Sequence, residues 1–310
     1  MAERGIHVVR EHLAKLPPSN TLTIAERRAQ YERAEKVFPV PPDVKVERVS
    51  APTAPAEWLL PPSATPGRVV LYLHGGGYIG TSPTMYAFFT ARVCRAADCA
   101  VFVADYRLAP EFPYPAGAED ASAAYRALRA LGIPNARIFL AGDSGGGGLA
   151  NTILLSCPEH IEPLHPAGLL VFSPEVDLRL DEPSVSENAD RDILPWNIPT
   201  ASYLHGVDAN DDSVSPLTAD LRGFPPTCVT WGGNEMFRDP IRRYVARLRA
   251  DGVPTEAQEF EGMFHVFQIL MPWADDSRDV FRLVRDFIHD VVADAPPLTL
   301  GYLNTKLGGR

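Results

Sequence analysis

The stretch Arg137-Ile138-Phe139-Leu140-Ala141-Gly142-Asp143-Ser144-Gly145-Gly146 runs from an apolar segment into a Gly-x-Ser-x-Gly turn. Gly147 to Leu155, which follows, reads as a helix. A serine at such a strand-to-helix turn is pushed out of the backbone in a strained conformation. The glycines two before and two after it leave room for the sharp bend. The helix that follows points its N–H groups at the same spot. The pattern makes an ordinary hydroxyl an accessible nucleophile and places it at the end of a buried strand.

Outward from this turn, strands and helices alternate. Arg68-Val69-Val70-Leu71-Tyr72-Leu73 is a nearly continuous apolar run of the kind buried on both faces of a parallel sheet. Ser82-Pro83 opens a helix through Val93 as N-cap plus N1 proline. Further strands are predicted at Cys99 to Ala104, Gly168 to Phe172, Thr227 to Trp231 and Thr255 to Phe260. Helices are predicted over Ala118 to Leu131, Arg238 to Ala250 and a last stretch including Val280 to Val291. Before them, Val44, Val46 and Val49 alternate with polar residues, and Ala56 to Leu60 follows a Pro-containing break. The pattern is that of an α/β sheet with helices on both faces. Thr23-Ile24-Ala25-Glu26 is a capping box that starts a helix stopped by Pro39, Pro41 and Pro42. From Asp181 to Leu217 the alternation lapses into acidic, Asn- and Pro-rich sequence around one helical piece, Trp196 to His205. A lapse this long inside an α/β domain reads as a functional insertion.

The 310 residues are enough for one large domain, or one domain with a smaller cap. A net charge of −10 with no Lys/Arg-rich block argues against nucleic acid and anionic membranes as partners. Cys94, Cys99, Cys157 and Cys228 are scattered, with no Cys-x-x-Cys pair and no metal-spaced histidines nearby. They read as reduced core residues of a cytoplasmic protein without a structural metal. Met1 to Asn20 lacks an apolar signal region, and no stretch approaches the length of a membrane span.

His74-Gly75-Gly76-Gly77 stands at the carboxyl end of the strand ending in Leu73, where open α/β sheets bind ligands. Its glycines leave backbone N–H groups free to face a ligand, as an oxyanion hole requires. An activated serine needs a base, and the base an orienting acid. Of the eight histidines, only His265 lies in a loop after a strand and downstream of the serine. For the acid, Glu235 and Asp239 compete in the segment after Trp231. Glu235 is nearer the strand end, whereas Asp239 reads as a charge complement in the first turn of a helix. The order Ser144, Glu235, His265 is the Ser…Asp/Glu…His order of an α/β hydrolase.

The sequence resembles the hormone-sensitive-lipase-like family of α/β-hydrolase carboxylesterases. The matching residues are His74 to Tyr78, Asp105-Tyr106-Arg107-Leu108-Ala109-Pro110-Glu111, Gly142-Asp143-Ser144 with Gly146, and Gly262-Met263-Phe264-His265. The resemblance spans roughly residues 44–292. It implies an eight-stranded, mostly parallel sheet whose first strands are antiparallel. The core would comprise 44–180 and 216–293, with 1–43 and 181–215 as cap segments and 294–310 as a tail. It implies hydrolysis of small carboxylic esters, of short or medium acyl chain or a natural-product ester, without a cofactor, and dimers as in many members. Carried over, Ser144 is the nucleophile, His265 the base and Glu235 the acid. The N–H groups of Gly76, Gly77 and Gly145 form the oxyanion hole, with Gly75 in the same group helping to set the turn. The stretch Asp105 to Glu111 supports the glycine turn. Two residues depart from the family pattern: Gly145, where Ala is common, and Glu235, where Asp is frequent. The short insertion also fits a more open pocket.

Phe38, Tyr78, Trp196, Tyr203, Met236 and Phe264 are candidate pocket walls by position and equally candidates for core or cap packing. Such side chains would suit an apolar acyl or alcohol group. Other functions could use the same residues. Plant gibberellin receptors resemble this family but lack a working histidine at the matching place, and His265 argues against that role. Dehydratases, cyclases and acyltransferases could use the same base and oxyanion hole on a biosynthetic intermediate.

Overall fold

A computed structural model describes residues 9, 11, 22–34, 39–50, 55–61, 67–155, 164–194, 198 and 200–293. Its strands are β1 (Lys45–Ser50), β2 (Pro55–Leu60), β3 (Val69–Leu73), β4 (Ala100–Ala104), β5 (Ile138–Asp143), β6 (Gly168–Phe172), β7 (Thr227–Gly232) and β8 (Thr255–Phe260). They form one sheet in the order β1-β2-β4-β3-β5-β6-β7-β8. β1 pairs antiparallel with β2, and β2 with β4; every later pairing is parallel. The fold is the α/β-hydrolase fold expected from the sequence.

The helices are α1 (Ile24–Ala34), α2 (Pro83–Ala97), α3 (Ala116–Ala130), α4 (Ser144–Leu155), α5 (Pro183–Glu187), α6 (Thr200–Leu204), α7 (Arg238–Ala250), α8 (Phe267–Leu270) and α9 (Asp275–Val291). The continuous apolar strands follow from burial on both sides. In β3, Val69, Leu71 and Leu73 face one core with α3, α4 and α7, whereas Val70 and Tyr72 face a second core with α2 and α9. The capping box at the start of α1 is made: Thr23 N–H donates to Glu26 at 2.8 Å, and Glu26 N–H to Thr23 Oγ1 at 3.3 Å. Cys94, Cys99 and Cys228 are buried free thiols, and Cys157 lies outside the described residues. No helix among the described residues is long and apolar enough to cross a membrane.

Two sequence expectations need adjustment. Val44 precedes β1 and is buried, so the predicted alternation began one residue early. In the insertion, the helix expected over Trp196 to His205 is described only as α6, and α5 was not predicted. With five residues, α5 is too short for a 3.6-residue period to show.

Register is what assembles the site. Leu73 of β3 pairs with Gly142 of β5, and Asp143 with Phe172 of β6. The strand ends that lead into the glycine turn, the serine turn and Ser173 therefore lie level along one edge. β7 and β8 end level too, Gly232 with Phe260, which sends the Glu235 and His265 loops off the same side.

Candidate active site

Ser144 has φ of +53°, a left-handed conformation that non-glycine residues rarely adopt. The fit around it explains the flanking glycines. A Cβ on Gly146 would sit 2.1 Å from the Leu73 carbonyl oxygen, and one on Gly142 2.4 Å from that of Gly146. Neither position can hold a side chain while the elbow packs against β3.

From the elbow a line of hydrogen bonds crosses to the other loops. Ser144 Oγ lies 2.8 Å from His265 Nε2, and His265 Nδ1 lies 2.8 Å from Glu235 Oε2. Glu235 is fully buried, and Ser144 and His265 are nearly so. Burial is the main influence on His265 and lowers its pKa; the carboxylates of Asp192 and Asp143 oppose the fall. Burial raises the pKa of Glu235, opposed by the Ser173 hydroxyl and by the N–H of Gly232, 2.9 Å from Oε1. An imidazole flanked in this way can take a proton from the serine through Nε2 while Nδ1–H donates to the carboxylate. Asp239 stands apart, paired with Arg238 at 2.8 Å and accepting the N–H of Ser184 at 3.1 Å.

The glycine turn carries Gly76 at φ +112° and Gly77 at φ +62°, and a Cβ on Gly145 would stand 3.2 Å from the N of Tyr78. The turn and the N-terminus of α4 are thus in contact. Gly75 requires a correction if counted with the oxyanion donors. Its N–H donates to Asp143 Oδ1 at 3.0 Å, so it is committed to the scaffold and not available to a ligand. The same carboxylate accepts the hydroxyls of Tyr72 and Tyr86, each at 2.7 Å. Burial pushes its pKa up to about 6 despite these donors. In the sequence reading Asp143 has a place in the matching motif but no role, although it fills the variable place in Gly-x-Ser-x-Gly. The Asp105 to Glu111 stretch lies where support was expected: Tyr106 donates to the His74 carbonyl at 2.5 Å and Ala109 N–H to that of Tyr78 at 2.9 Å.

The pocket candidates separate. Tyr78 and Tyr203 stack face to face with centroids 3.8 Å apart. Met236 is fully buried in the same core as these two rings and, like Phe264, offers no surface to a ligand. Phe264 is fully buried in the other core, with Phe260 and Phe267, so it packs the sheet's far face and offers no surface to a ligand. Phe38 and Trp196 lie outside the described residues. Asp177, Asp181 and Glu182 cluster where the core passes into the insertion, but Arg179 pairs with the first two and Arg243 with the third.

Comparison with known proteins agrees with this geometry. Residues 70–269 match a family described by the alpha/beta hydrolase fold. The chain is 33% identical over 304 residues to an acetyl-hydrolase of Streptomyces hygroscopicus, covering 95% of this chain and 99% of that one. It is 34% identical over 225 residues to the carboxylesterase NlhH of Mycobacterium tuberculosis, covering 67% and 70%. A solved esterase from the bacterial hormone-sensitive lipase family is similar with a TM-score of 0.86 and 36% identity, over 94% of this chain and 97% of that one. With its sheet order, its serine elbow and these likenesses along nearly its whole length, the chain belongs to the hormone-sensitive-lipase-like family of α/β-hydrolase esterases.

Proposed function

We propose that this protein is a serine esterase that cleaves small carboxylic esters through an acyl-enzyme intermediate. The observation that supports it most is the buried line of two 2.8 Å contacts from Ser144 through His265 to Glu235. In this reading Ser144 Oγ attacks the ester carbonyl carbon and its proton passes to His265 Nε2. The negative charge that develops on the carbonyl oxygen faces the N–H groups of Gly76, Gly77 and Gly145. The C–O bond to the alcohol then breaks, and the imidazolium gives its proton to the departing oxygen. Water, deprotonated by His265, attacks the acyl carbon, releases the acid and restores the serine. Glu235 stabilises the imidazolium in both halves.

The segments 1–43 and 181–215 would cap the site, with the stacked Tyr78 and Tyr203 as one wall of an apolar pocket. The acetyl-hydrolase among the relatives favours a short acyl group. A series of p-nitrophenyl esters of increasing chain length, run on wild type and Ser144→Ala, tests both points. Turnover should be highest on the short esters and fall by at least about 10⁴-fold in the variant. Near-wild-type turnover by Ser144→Ala would remove the reading.

A further inference from the structure

The insertion sends one carboxylate to the loops that carry Glu235 and His265. Asp192, half-buried, lies just beyond α5. Its Oδ1 accepts the backbone N–H of His265 at 2.9 Å, and its Oδ2 accepts that of Met236 at 2.7 Å. Met236 follows the acid Glu235, so one side chain bridges the two loops that must stay in register. Neighbouring residues hold the acid loop from the same segment. Asn188 Nδ2 donates to the Glu235 carbonyl at 2.9 Å, and Ser184 Oγ to that of Met236 at 2.7 Å. Ile193 N–H also donates to Asp192 Oδ1, at 2.7 Å, which fixes the carboxylate from its own loop.

We propose that Asp192 is a positioning residue of the hydrolytic site, tying the Glu235 loop to the His265 loop and holding a negative charge on the backbone N–H of His265. This rests on the esterase reading above. Three backbone donors converge on its two oxygens, an arrangement that an ionised carboxylate accepts and that an amide, with one acceptor oxygen, cannot reproduce. The charged groups facing His265 are Asp192 from the insertion, Asp143 from the elbow and Glu235 from the acid loop. Those facing Asp192 are His265 and Glu235, and burial raises its own pKa to about 6. At neutral pH Asp192 is therefore ionised and favours the imidazolium that forms when the serine gives up its proton. The insertion thereby bears on the chemistry through the two loops it braces.

The test compares wild type with Asp192→Asn and Asp192→Ala. It measures kcat and KM on a short p-nitrophenyl ester across pH, the His265 ring titration by NMR, and the melting temperature. For Asp192→Asn, kcat should fall by about ten- to a hundredfold with KM within about twofold. Loss of the negative charge makes the imidazole harder to protonate. Its titration and the acid limb of kcat/KM should therefore move down by roughly one pH unit. Unchanged kcat and titration would overturn the proposal. So would a fall in kcat matched by a lower melting temperature with the His265 titration unmoved, since that is what mere bracing of the fold would give. If Asp192→Ala does not fold, the near-isosteric Asn variant decides. Absence of ester turnover by wild type would count against the esterase reading instead, while the NMR titration still reads the link between Asp192 and His265.

Discussion

In the proposed mechanism a single buried ring, that of His265, sets the response of the site to acid. A general base works only while unprotonated, and burial, the largest influence on this ring, lowers its pKa from the ordinary 6.5. Activity should therefore persist to lower pH than a surface histidine would allow, with the acid limb of kcat/KM below 6.5. A pH profile on a p-nitrophenyl ester checks this, and a limb at or above 6.5 would contradict it. Much at this scale was legible in sequence. The nearness of Glu235 to its strand end separated it from Asp239, and Asp239 does lie among Arg238 and Ser184, away from the imidazole. What could not be read was that Gly75 and Asp143 engage each other, because the bond joins residues 68 positions apart.

Among the elements, α1 illustrates how a helix outside the sheet can still bear on the site. Arg28 of α1 donates from Nε to the Ile79 carbonyl at 2.6 Å and from Nη2 to that of Ala109 at 2.8 Å. It also forms a two-pronged pair with Glu111 at 2.8 and 2.7 Å. The backbone just after the glycine turn is thereby tied to the Asp105 to Glu111 stretch through one guanidinium. Arg28→Ala should lower stability by about 1–3 kcal/mol, mostly through the two buried carbonyls it leaves without their charged donor. Chemical denaturation checks the loss, and kcat/KM should fall with it as the turn loosens. The capping box placed the start of this helix from four letters of sequence. The role of Arg28 has no such signature, since an arginine on a polar helix face reads as solvated until the partner loop is known. Packing inside the sheet is governed by a different cost. Phe89 of α2 is fully buried among the rings of Tyr72, Phe172 and Phe281. Phe89→Ala should destabilise by about 3–5 kcal/mol, read as a shifted unfolding midpoint.

At the scale of the whole molecule, one buried acid, Glu175, should make stability depend on pH. Glu175, just after β6, is fully buried, and its Oε1 has no hydrogen-bond partner among the described residues. Burial raises its pKa from 4.5 to about 8. Between those values the folded chain keeps a proton that the unfolded chain has lost, so stability contributed by this group falls as pH rises through the window and levels off above it. Glu175→Gln removes the titration. The variant's unfolding free energy relative to wild type should therefore climb from pH 5 to pH 8, reaching a gain of roughly 1–3 kcal/mol, read by chemical denaturation at each pH. A free-energy difference that stays flat across this range would show that Glu175 is not held protonated.

The amino-acid sequence by itself determined the α/β alternation, the bend at Ser144 and the loops that hold Glu235 and His265. Each is written in a local pattern: apolar runs for strands buried on both faces, glycines where a Cβ would strike a carbonyl, polar residues at strand ends. The tertiary structure alone decided which groups brace those loops. Asp192 reaches His265 across 73 residues of chain, Asp143 gathers tyrosine hydroxyls from β3 and α2 and the amide of Gly75 between them, and Phe264 turns to the opposite core. Periodicity reports which face of an element is buried. The partner that meets it there depends on strand order and register, which are fixed only when the whole sheet closes around its two cores.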